Sequence, residues 1–139
     1  MIITPIRTYL LAQPAVAALL ANRMFPGTRH QDQPYPHATI RVAATSTGTH
    51  LKGVIGLSTS IVSIDCFAKE PGEAQSVAWA IFNSGLTRQK GVMSGVDIRG
   101  VQISSGPYDD EEAPTDGSDK PDYVSSIDFR VEYQTVCDP

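Results

Sequence analysis

Cysteine, aromatic residues and basic charge are all scarce in this chain, and each shortage closes off a class of function. Cys66 and Cys137 are the two cysteines in 139 residues, too few and too far apart for a disulfide framework or a cysteine-based zinc site. A reducing, cytoplasmic place of synthesis fits that usage. Eleven Lys and Arg against fifteen Asp and Glu leave a net charge of −4, the wrong sign for a strongly basic nucleic-acid binder. No apolar run approaches the roughly 20 residues that span a bilayer, so no membrane partner is expected. The Ala- and Leu-rich stretch at 14–21 does not read as a signal peptide, because only Arg7 precedes it and Pro5 and Pro14 interrupt it. Phosphate-loop, dinucleotide and GxSxG fingerprints are missing too, and no glycine-rich frame surrounds a serine or cysteine to build an oxyanion hole.

What is present describes a foldable chain. With 41% hydrophobic and 19% charged residues, one domain over residues 1–139 can bury a core without metals or disulfides. Thr4-Pro5 predicts a helix start, with Ile6, Leu10 and Leu11 on one face; Pro14 bends it, and Val16, Leu19 and Leu20 continue it toward Asn22. Pro26, Gly27, Pro34 and Pro36 then make residues 25–36 an extended, proline-rich arm. Thr39 to Ala44 alternates as a half-buried strand with Ile40, Val42 and Ala44 on one side, and Leu57 to Phe67 carries apolar groups on both faces, as a central strand does. Pro71-Gly72-Glu73 opens a second helix whose stripe is Ala74, Val77, Ala78, Ile81 and Phe82, and Gly85 stops it. Val96 and Ile98 are out of phase with Val101 and Ile103, which predicts a bulge near Gly100. Ile127, Phe129, Val131 and Tyr133 alternate with polar residues in a final one-sided strand. The expected fold is α+β: a mainly antiparallel four- to five-stranded sheet with two helices packed on one face.

Charge is unevenly placed. Between positions 109 and 122, Asp109, Asp110, Glu111, Glu112, Asp116, Asp119 and Asp122 face only Lys120, so this segment carries −6 and the rest of the chain +2. Such a segment reads as an acidic loop, 105–122, that is solvated or held at an interaction surface. A calcium module is the alternative there, but the spacing lacks the alternating ligands and the bidentate glutamate of an EF-hand. His30, Asp32 and His37 form the one imidazole and carboxylate cluster, a conceivable metal-assisted hydrolase, yet their spacing matches no HExxH or Cys/His zinc pattern. Cys66 lies inside a predicted strand and reads as a small buried hydrophobe. No catalytic, cofactor or metal residue is therefore assigned. Trp79 sits beside the stripe of the second helix, where it either edges the core or anchors an interface.

The order of these elements resembles a known family, the tail completion or tail terminator proteins of long-tailed bacteriophages. The features that carry the resemblance are the helix broken at Gln13-Pro14, Asn22-Arg23-Met24-Phe25 leading into the proline-rich arm, and Pro34-Tyr35-Pro36 opening a strand. The central strand Ser60 to Phe67, the helix beginning near Pro71-Gly72-Glu73-Ala74 and the last strand Ile127 to Tyr133 complete it. The resemblance implies a structural virion protein, not an enzyme, located in the tail-neck region and assembled in the host cytoplasm. It implies a ring, a hexamer, that caps the tail tube, stops its polymerisation and meets the head connector or stopper protein, with genomic DNA only passing through the lumen. Trp79, the acidic residues 109–112, Asp116, Asp119 and Asp122, and Tyr35 and Pro36 of the arm are the expected interface residues.

Overall fold

Proline divides the N-terminus. Residues Ile3–Leu11 form α1 and Pro14–Leu20 form α2, and the two helices meet at 91°. These are two helices where one bent helix was expected, because Pro14 has no N–H to continue the ladder and Gln13 before it is extended (φ −80°, ψ 128°). The helix starts just before Thr4-Pro5: α1 begins at Ile3, after Ile2, with no side-chain cap. The computed structural model describes residues 2–27, 34–50, 53–112 and 121–135.

The strands are β1 (Met24–Pro26), β2 (His37–His50), β3 (Gly53–Ala68), β4 (Gly91–Met93), β5 (Val96–Glu112) and β6 (Asp122–Thr135). Helix α3 (Pro71–Phe82) and a 3-10 turn (Leu86–Arg88) lie between β3 and β4. The sheet order is β1-β2-β3-β6-β5-β4, parallel between β1 and β2 and antiparallel elsewhere. Among the described residues, six strands and three α-helices thus replace the expected four or five strands and two helices. Both additional strands, β1 and β4, have three residues, too few to show a period of two. Strand β3 is central, as its two-sided apolar pattern predicts.

Ile40 on β2, Val62 and Ile64 on β3, and Ile127, Phe129 and Val131 on β6 are fully buried under the helices. They meet Ile6, Leu10, Val16 and Leu20 of the N-terminal pair and Val77, Ala78 and Ile81 of α3, which delivers the stripe read from the sequence. The predicted bulge exists: pairing with β6 shifts between Ile98 and Gly100, so Arg99 is the extra residue and Val101 returns to the core. A second bulge corrects an expectation. Pairing shifts between Val42 and Ala44, which sets Ala44 opposite Ile61 rather than in phase with Val42. Ala44 is consequently exposed on the face away from the helices.

Gly85 stops the α3 region in the left-handed conformation (φ 83°), and an added Cβ would lie 3.3 Å from the Tyr9 hydroxyl. That hydroxyl donates to the Ser84 carbonyl at 2.8 Å, tying α1 to the end of α3. Among the described residues no single helix is long and apolar enough to cross a membrane.

Candidate functional site

The arm returns to the body through polar contacts. Arg23, just beyond α2, donates from Nε to the Pro36 carbonyl (2.8 Å) and from Nη2 to the Leu19 carbonyl (3.1 Å). Tyr35 donates to Oδ2 of Asp122 at 2.8 Å, and Lys69 Nζ lies 2.6 Å from the other carboxylate oxygen. The same ammonium sits 5.0 Å from the Tyr35 ring centroid, within cation–π range. His37 is buried beside this network, stacked on Phe67 (5.2 Å) and tilted against Tyr35 (4.9 Å), with Nδ1 3.2 Å from the Pro34 carbonyl. Sequence reasoning missed this network because its members lie far apart along the chain. Asp122 is accordingly no member of a solvated loop: it is fully buried and ion-paired. Tyr35 and Pro36 are half-buried and engaged within their own chain.

The acidic segment is partly strand. Where a loop was expected from residue 105, β5 continues to Glu112, with Asp109, Asp110, Glu111 and Glu112 opposite Ser125, Val124, Tyr123 and Asp122. Irregularities at 103–108 absorb the glycine and proline that suggest a loop in the sequence, Gly106 taking φ 95°. Asp109, Asp110 and Glu111 are exposed. They line an open pocket of about 380 Å³ against Pro71, Ala74 and Gln75 of α3, and Gln75 donates to Asp109 at 2.9 Å. Asp116, Asp119 and the side chain of Glu112 lie outside the described residues.

Trp79 resolves toward the surface. It is 48% exposed, tilted against Phe82 at 4.8 Å, and flanks an uncharged groove of about 430 Å³ between α3 and the α1–α2 corner at Gln13, Pro14 and Ala15. The face away from the helices carries a third polar group. Ser126 donates to Asp65 (2.6 Å), and Ser105 (2.7 Å) and Tyr108 (3.4 Å) donate to Asp128. Partial burial, and then the charges of Asp128 and Asp65, push the Tyr108 phenol above its ordinary value. Asp65, a carboxylate inside the strand read as apolar on both faces, was the available signal for this group.

The chemical alternatives gain nothing from the geometry. His30 and Asp32 lie outside the described residues, and His37 is enclosed by aromatic rings. Among the described residues no three His, Cys, Asp or Glu side chains are placed to hold a metal ion. Cys66 is buried, and burial, reinforced by the charge of Asp65, pushes its thiol far up. It is the inert core residue expected.

The family model for Tail completion protein gp17 matches residues 4–112, from α1 through the whole of β5. The chain belongs to that family. A comparison with curated proteins finds no match. Among solved structures, this tail completion family member resembles a chain from one described as "Virion of native gene transfer agent (GTA) particle", with a TM-score of 0.60 and 12% identity. The likeness covers 94% of this chain and 92% of that one, so the two share a fold over nearly their full length.

Proposed function

We propose that this chain is a structural tail completion protein of a phage-like particle. It forms a ring, a hexamer, that caps the tail tube, ends tube polymerisation and offers its other side to the head connector or stopper protein. Genomic DNA passes through the lumen of that ring and is not otherwise a ligand; the protein acts in the tail-neck region after assembly in the host cytoplasm. The observation that carries this reading is the family match over residues 4–112. It is supported by what the surface offers: an exposed tryptophan beside a groove, and exposed carboxylates at one end of the sheet. Both suit repeated protein contacts. A ring of identical subunits uses heterologous contacts, and weak ones add up when the ring sits on another ring of matching symmetry.

The test is mass in solution, by light scattering across a concentration series with and without purified tail tubes. A closed ring, or a monomer that assembles only on tube ends and halts their growth, is the expected result. A monomer indifferent to tubes overturns the reading.

A further inference from the structure

Among the described residues, exposed charge without a partner of opposite sign gathers at the two ends of α3, with Arg41 on β2 standing apart. At its first turn, which carries Glu73, the hairpin carboxylates Asp109, Asp110 and Glu111 line the 380 Å³ pocket. Under this pocket, directly across the ladder from Asp109, lies Ser125, whose fully buried hydroxyl has no hydrogen-bond partner among the described residues. Beyond the last turn of α3, the corner before β4 exposes Arg88 and Lys90, neither with a carboxylate partner among the described residues. The nearby Arg99 is already paired with Asp97 at 2.9 Å. Of the other exposed arginines, Arg41 stands singly and Arg130 lies 3.6 Å from Glu132.

The two charged ends cannot neutralise each other within one chain. Twelve helical residues span about 18 Å, roughly twice the screening length at physiological salt. Between chains they can. A pocket lined by carboxylates and a glutamine fits a long cationic side chain, and the chain carries two of these at its opposite end. Because the two patches differ, their contact is head-to-tail, the type that closes rings rather than two-fold dimers. We propose that Arg88 and Lys90 of one copy dock into the acidic pocket of the next copy, between α3 and the β5–β6 hairpin. This contact rests on the ring reading above and assigns its subunit interface.

Two charge reversals test it in the full chain, R88E/K90E and D110K/E111K, each checked for folding by circular dichroism and studied free and on purified tail tubes. Self-association of the wild type weakens as NaCl rises, each reversal weakens it at least tenfold, and an equimolar mixture of the two variants recovers the wild-type mass. Wild-type rings that ignore both reversals, or two folded variants that do not recover on mixing, overturn this contact and leave the ring standing. A wild-type chain that stays monomeric in every condition removes both.

Discussion

The Tyr35 phenol donates a 2.8 Å hydrogen bond to the buried Asp122 carboxylate, 87 positions further along the chain. One bond thereby joins the proline-rich arm to the root of the acidic hairpin, and Lys69 at the end of β3 supplies the balancing charge. Y35F removes one bond to a charged acceptor and should cost about 1.5–3 kcal/mol. K69M removes the ammonium 2.6 Å from a buried carboxylate and should cost more, about 3–5 kcal/mol. Urea denaturation measures both. If K69M is as stable as wild type, the pair is not what holds the hairpin root.

Gly106 is a glycine that the hairpin backbone requires. At φ 95°, an added Cβ would lie 2.5 Å from the Ser126 carbonyl oxygen, so neither conformation nor space admits a side chain. G106A should destabilise by about 1–3 kcal/mol through strain and the forced shift of β6. Gly72, in the first turn of α3, has nothing within 4 Å of the same added atom. G72A should stabilise by about 0.4–1 kcal/mol. Paired denaturation curves decide, and equal effects would mean that the hairpin does not hold this backbone.

The parts of the fold that were legible in the sequence are those where one residue type repeats at a fixed period. The Ile127, Phe129, Val131 alternation and the Ala74, Val77, Ala78, Ile81 stripe each name a buried face because a single neighbour covers it. The phase break at Gly100 was equally readable, since a bulge leaves a permanent mark on alternation. The lower half of β5 was not. Its Gly106, Pro107 and four successive acids look like a loop, and only pairing with 122–128 of β6, set by tertiary contact, keeps them extended. The Tyr35, Lys69 and Asp122 network was invisible for the same reason: no local pattern reports three residues that meet only after β2, β3 and β6 are side by side.

Burial holds the Cys66 thiol neutral well above the pH at which an unfolded cysteine ionises. A raised folded-state pKa contributes stability that is fully present below about pH 8.5, the unfolded value, and is lost as pH rises above it. Native protein at pH 8 should leave Cys66 unlabelled by iodoacetamide while denatured protein labels fully, with the site read by mass spectrometry. C66A should lose less stability than wild type between pH 8.5 and about 10. Rapid labelling of Cys66 in the native chain would show that the β3 core opens easily.

Trp79 separates docking from folding. At 48% exposure its main intramolecular partner is Phe82, so W79A should change stability by about 1 kcal/mol or less. F129A, by contrast, empties the centre of the core and should cost about 3–5 kcal/mol. If the groove beside Trp79 is a docking surface, W79A keeps the wild-type melting temperature yet loses assembly on tube ends, since exposed tryptophans at interfaces carry a large share of binding energy. The two readouts together decide. A variant that assembles normally removes Trp79 from the interface, and one that melts early assigns it to the core.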